Sequence, residues 1–302
     1  MRAFITHHRV ASYFLMAIAI SWSGILLVAQ PHTLPAPPDE AQRLFAGVYL
    51  AMLLGPSAAG LVVTAVQGHD ALRDYRSRLT RWRVPMRWYA VAVCTAPLLV
   101  LLTTALVSMT STPMMPAVLQ GGADPAGPVQ ANGLPAFVLI GLAVGLGAGI
   151  FEELGWTGLA VPTLLERYGL ATTGVAVGMV WGAWHYLAIH WGIGSALGDV
   201  PLLTYLVVAL FAFLPPYRML MVWVYQHTQS TLVAIIMHMA LTSSMLLLGP
   251  AVSGRELVKF DLAFGGVLWA VVLVVLVVLA AERRPIIPRG TRSAKEYFHR
   301  GP

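Results

Sequence analysis

The 302-residue chain carries 19 Lys+Arg and 13 Asp+Glu, only 11% charged residues, against 58% hydrophobic ones and a mean hydropathy of +0.73. Soluble domains carry about 25% charged and 45–50% apolar residues, so a soluble enzyme, a disordered tail and a fibrous chain are excluded and a polytopic membrane protein remains. The single cysteine, Cys94, allows no intrachain disulfide, and the net charge of +6 arises from arginines set between apolar runs, a topology signal rather than a nucleic-acid surface.

An all-α fold follows, with about eight transmembrane helices, since a hydrocarbon core takes about 20 apolar residues to cross. The first span is expected at Val10–Ala29. Pro-rich polar sequence follows it instead of a small-residue cleavage site, so a retained helix is expected rather than a removable signal peptide. Leu44–Val66 and Trp88–Met109 come next, separated by the arginine-rich stretch from Arg73 to Arg87, which is also suited to anionic lipid. The Gly-, Pro- and Ala-rich connection from Thr110 to Leu134 contains no Lys or Arg and reads as extracytoplasmic. Spans at Ala136–Leu154, Ala171–Trp191, Leu202–Trp223, Ser230–Leu248 and Leu262–Ala281 complete the set.

Basic residues orient these spans. With both termini cytosolic, Arg2, Arg9, the six arginines from Arg73 to Arg87, Arg167, Arg218 and the six basic residues from Arg283 to Arg300 fall inside. Arg43, Arg255 and Lys259 fall outside. The chain accordingly divides into N-terminal helices with a basic cytosolic loop (1–134), a helical core (135–250), and a last helix with a basic tail (251–302). Its Ala-, Val- and Arg-rich composition points to a bacterial cell membrane.

Ionisable groups inside spans are expensive and mark functional sites by default. Glu152 and Glu153 interrupt the fourth span, His185 lies in the fifth, and His238 with Thr242 in the seventh. His190 and His227 fall nearer helix ends. If the fourth helix runs past the glutamates to a turn at Arg167–Gly169, Glu152 and His185 are equally far from that turn, about 25 Å of helix path. His238 is about 15 Å from the same side. Gly141, Gly145, Ala148, Glu152 and Gly155 share one face of the fourth helix, and Gly174, Gly178, Gly182 and His185 one face of the fifth. Thr231, Ala234, His238 and Thr242 do so on the seventh. Small-residue stripes let membrane helices approach closely, which puts these side chains away from lipid. Glu153, rotated about 100°, is expected on another face. Trp156, Trp181, Trp184, Trp191 and Trp223 read as packing or interface anchors. The plainer alternative is that the polar groups only bridge neighbouring helices.

A carboxylate and two imidazoles in a dry site suit two chemistries. Glu152 can take a proton from water while imidazole stabilises an oxyanion. Alternatively, Glu152, His185 and His238 can ligate zinc whose open position activates water. Either hydrolyses an acyl bond, and a site inside the membrane points to a peptide or membrane-protein segment. A transporter or scaffold is the rival class. Transporters show internal repeats and paired broken helices, whereas only Pro215-Pro216 interrupts a helix here.

At these residues the chain resembles the CPBP intramembrane proteases, named for CAAX prenyl proteases and bacteriocin-processing proteins. The family pattern is Glu-Glu-x-x-x-Arg, then Phe-x-x-x-His, then His-x-x-x-Asn/Asp. Here it reads EELGWTG from Glu152, WGAWH ending at His185, and HMALT from His238 to Thr242. The resemblance covers about Gly141 to Leu248. It implies a helical membrane protease whose site opens to the cytosol, with Glu152 and His185 activating water and His238 and residue 242 steadying the oxyanion. Such proteases have been described both as zinc-dependent and as glutamate-dependent. Thr157 replaces the motif arginine, Trp181 the phenylalanine and Thr242 the Asn/Asp. The first change is expected to leave Glu153 without its charge partner and to make its loss mild, and the set leaves a catalytically silent member as an alternative.

Overall fold

A computed structural model describes residues 2–30, 34–110, 113–121 and 131–282. The basic residues from Arg283 to Arg300 and part of the Thr110–Leu134 connection (111–112 and 122–130) lie outside the described residues. The architecture is all-α, and the only β contact among the described residues is one antiparallel bridge between Pro116 and Pro250.

A short α1 (Arg2–His7) leads into α2 (Arg9–Ala29), and α3 (Pro38–Gln67) returns beside it. Helix α3 starts on Pro38 with Asp39 and Glu40 in its first turn, where a fixed φ and negative charge suit unsatisfied N–H groups. The arginine-rich stretch then folds into α4 (His69–Leu79), with Asp70 in the first turn and Arg76 and Arg78 in the last. Helix α5 (Met86–Thr110) precedes α6 (Leu134–Glu153), and α6 does not end the fourth segment. A π turn at Trp156–Ala160 and the short α7 (Val161–Leu165) carry it to the turn before α8 (Leu170–Ile193). The anticipated run past the glutamates is therefore present, interrupted by a π turn. A similar interruption, α9 (Leu202–Tyr205) and a π turn at Leu206–Leu210, opens the segment continued by α10 (Phe211–Thr228), which passes through Pro215 and Pro216. Helices α11 (Thr231–Leu247) and α12 (Gly254–Glu282) complete the bundle, α11 capped by Ser230 Oγ, which accepts from the Val233 N–H.

Among the described residues, five helical segments are long and apolar enough to cross a membrane: Arg9–Ala29, Pro38–Gln67, Met86–Thr110, Leu134–Leu165 and Gly254–Glu282. Helix α11 is apolar but shorter, at 17 residues. Helices start earlier than the apolar runs where polar first turns extend them, as at Pro38 and Gly254.

The glycine stripes determine which helices touch. The stripe on α6 lies against α11: a Cβ added at Gly149 would come 2.5 Å from the Ile235 carbonyl oxygen, and one at Gly141 2.6 Å from the Leu247 side chain. The stripe on α8 lies against α10, with Gly178 facing the Cα of Pro215 and Gly174 the Met219 side chain. Hydroxyls then tie α3 to α6. Tyr49 donates to the Val144 carbonyl and Ser57 to that of Phe151, both at 2.5 Å. In an apolar surround such backbone acceptors find few other donors. Beneath the π turn, the Tyr75 hydroxyl of α4 donates to Leu154 O (2.9 Å) and Arg78 Nη2 to Gly158 O (3.0 Å).

Close approach at Gly149 leaves no room for a side chain, because the opposing atom is backbone. Gly149→Ala is expected to lower the detergent-solubilised thermal midpoint, reflecting about 1–3 kcal/mol of overpacking. Gly266→Ala, where nothing lies within 4 Å, should match or slightly exceed wild type. Equal midpoints for the two variants would contradict this packing.

Candidate active site

The end of α6 brings Glu152 and Glu153 into the bundle interior, 3% and 0% exposed. Adjacent residues on a helix point about 100° apart, and the two carboxylates have different partners. Glu152 Oε2 accepts from Trp181 Nε1 (2.7 Å) and Trp156 Nε1 (3.3 Å). Its Oε1 stands 3.8 Å from His238 Nε2. Glu153 Oε1 faces His238 Nδ1 at 2.7 Å, and Arg218 Nη1 donates to both Glu153 oxygens at 2.9 Å. The Thr157 hydroxyl also donates to Glu153 Oε2.

Arg218 is fully buried, and its Cζ lies 4.2 Å from the centroid of the Trp181 ring. This corrects two expectations. Arg218 is not a cytosolic surface charge, and Glu153 is not short of a charge partner. Thr157 has taken the position of the motif arginine, and α10 supplies a guanidinium from across the bundle. An arginine at the seventeenth position of an expected span was itself the signal, since a buried guanidinium needs a partner. Trp156 and Trp181 are corrected likewise: both are indole donors to Glu152, not only packing groups. Their spacing of four residues from Glu152 and from His185 respectively was the available clue.

His185 is half-buried on α8. Its Nδ1 lies 2.8 Å from the Trp181 carbonyl oxygen, and its ring meets Trp184 edge-on at 4.7 Å. A backbone carbonyl can only accept, so Nδ1 carries the proton and Nε2 is left as the second ring nitrogen. The Trp181 ring stands between the rings of His185 (5.7 Å) and His238 (5.1 Å).

A cavity of about 390 Å³ brings the expected residues together: Glu152, His185, His238 and Thr242 all line it, with Trp181. Its volume lies in the range of small-ligand sites. Glu153 does not line it and contacts His238 instead. His190 and His227 are not among its lining residues, and His227 stacks on Trp88 at 4.7 Å.

The zinc ligand set does not close in this arrangement. No group of three His, Cys, Asp or Glu side chains among the described residues is placed to share an ion. Glu152 Oε2 is engaged by two indoles, and His238 Nδ1 by Glu153.

The cavity also has a direction. Ser230, at the start of α11, donates from Oγ to Arg81 O, so that end of the bundle is the basic end. From Glu152 the wall continues to Phe45 near the start of α3, to Gly192 near the end of α8, and to Leu246 near the end of α11. Leu257 in α12 and Pro250 close the same far end. Tyr13, Trp156, Tyr217, Tyr225 and Met237 are buried and are not among the cavity's lining residues. The lining of the cavity thus runs from Glu152 toward the end of the bundle opposite the basic α4.

Fold and site together define a helical membrane protein with a carboxylate–imidazole centre inside the bundle. Residues 134–244 match the family model described as type II CAAX prenyl endopeptidase Rce1-like. The CAAX prenyl protease 2 of Methanococcus maripaludis is 24% identical over 148 residues, 47% of this chain and 51% of the relative. The match thus spans about half the length of that curated relative. The matched residues 134–244 contain all three of the motifs noted in the sequence.

Because Glu153 neutralises a buried guanidinium, its removal leaves an unpaired charge. Glu153→Gln is expected to cost about 3–5 kcal/mol of stability, seen as a large fall in thermal midpoint or in folded yield. Glu152→Gln, which keeps an acceptor for the two indoles, should stay near wild type. A Glu153→Gln variant as stable as Glu152→Gln would contradict the assigned ion pair.

Proposed function

We propose that the protein is an intramembrane endopeptidase that hydrolyses a peptide bond in a membrane-associated peptide or protein. The observation that supports this most directly is the convergence of Glu152, His185, His238 and Thr242 on one largely apolar cavity, within the segment that matches the family. Two indole N–H groups hold Oε2 of Glu152, and this leaves Oε1 facing His238. In the proposed reaction Oε1 takes a proton from water, with His185 holding that water, and the hydroxide adds to the scissile carbonyl. The oxyanion is met by the Thr242 hydroxyl and by His238, whose Nε2 donates in the doubly protonated ring that holds Glu153 through Nδ1–H, and Glu152 returns its proton to the departing amine. Glu153 is a positioning residue: it holds Nδ1 of His238 and so aims Nε2.

In this reading eight helical segments span the membrane with both termini cytosolic, and the basic α4 lies at the cytosolic surface. There Arg73 and its neighbours contact anionic lipid. Since the cavity extends away from that surface, substrate enters from the extracytoplasmic side, contrary to what the resemblance alone implies. Peptides presented outside or in the outer leaflet fit this geometry better than cytosolic C-terminal motifs.

Four measurements test the proposal. Wild-type protein in lipid, incubated with candidate peptides and read by mass spectrometry, should cleave. Glu152→Gln should reduce the rate by at least about 10²–10⁴-fold, as expected for loss of a general base; an unchanged rate would remove Glu152 from the mechanism. Hydrolysis should survive exhaustive chelation. Loss that zinc restores would assign the site to a metal instead. For orientation, Gln120→Cys in a Cys94→Ala background should react with an impermeant thiol reagent added outside intact cells. Reaction only after the membrane is opened would invert the topology and turn the cavity to the cytosol.

A further inference from the structure

The far end of the cavity contains a second carboxyl group that the proposed hydrolysis does not use. Asp261 lies in the second turn of α12, is 1% exposed, and lines the same cavity as Glu152. Neither of its oxygens meets a hydrogen-bond partner, and no ion pair among the described residues includes it. The Tyr205 hydroxyl faces it without closing a bond of normal geometry. The basic residues of the same helix are not available to it: Lys259 is bonded to Glu256 at 2.6 Å, and Arg255 is exposed. Leu210, Phe213 and Leu257 are among the apolar residues that line the cavity with Asp261.

Buried polar groups are hydrogen-bonded in the great majority of cases, and a carboxylate in apolar surroundings is costly without a donor. The missing donor here faces a cavity, so a ligand can supply it. We infer that Asp261 forms a recognition subsite for an ammonium or guanidinium group carried on an apolar chain. For the endopeptidase proposed above, that is a substrate with an apolar segment along the cavity and a Lys or Arg side chain, or a free N-terminal ammonium, at Asp261. The word substrate rests on that reading; the subsite itself does not.

Binding without turnover tests it. Glu152→Gln protein in zwitterionic-lipid nanodiscs removes the other carboxylate facing the cavity. In that background n-octylamine should bind about tenfold or more tightly than n-octanol, as expected for a charge-assisted hydrogen bond. Adding Asp261→Asn should abolish the preference while leaving octanol binding unchanged. Equal binding of amine and alcohol in the Glu152→Gln protein, which needs no change at Asp261, would overturn the inference. So would an amine preference that persists in the double variant. If the amine preference holds but wild type cleaves no peptide, the endopeptidase reading falls and the subsite stands.

Discussion

The buried contact between Glu153 and Arg218 is the constraint on which the rest of this site depends. A guanidinium and a carboxylate with no exposed surface are each costly to bury unpaired. Here Arg218 reaches both Glu153 oxygens, and His238 and Thr157 occupy the same carboxylate. Three helices are thereby joined at one point: α6 through Glu153, α10 through Arg218 and α11 through His238. The imidazole has no freedom to turn, because one of its nitrogens belongs to Glu153. Its other nitrogen consequently faces Glu152, and the two adjacent glutamates take separate duties without any difference in residue type.

The glycine stripes make this contact geometrically possible. Gly141, Gly145 and Gly149 bring α11 against α6, and Gly174, Gly178 and Gly182 bring α10 against α8. With larger residues the helix axes would stand further apart, and side chains of fixed length such as Asp, Glu and His could not span the gap. Small residues and expensive polar groups therefore belong to one arrangement. Packing in lipid lacks the hydrophobic drive available in water, and here close backbone approach and polar contacts both contribute to it.

The π turn after Glu153 plays a comparable part. The Gly155 carbonyl accepts from both Leu159 and Ala160, which widens the helix at the point where Trp156 and Thr157 turn back onto the two glutamates. Widened turns of this kind recur at functional sites because they redirect side chains without ending a helix. The loosened carbonyls of Leu154 and Gly158 are then taken by Tyr75 and Arg78 of α4. A segment that reads in sequence as an arginine-rich connection packs beneath the π turn that follows the two glutamates.

Much of this was legible in the residues themselves. Apolar runs located the helices, since hydrocarbon and water impose length and composition directly on a helix. Intramembrane Glu152, Glu153, His185 and His238 marked the site, because their cost in lipid demands a purpose. The stripes of small residues told which faces pack. What tertiary structure decided was partnership. Arg218 could be counted as a topology charge or as the partner of Glu153, and only the approach of α10 to α6 distinguishes them. Trp156 and Trp181 could pack or donate, and the position of Glu152 Oε2 makes them donors. The direction of the cavity, and the unpartnered Asp261 at its far end, depend on how six helices stack at different depths. Periodicity within one helix carries no information about the neighbour it will meet, so charge pairing across the bundle and the path of the cavity emerge only from the packed whole.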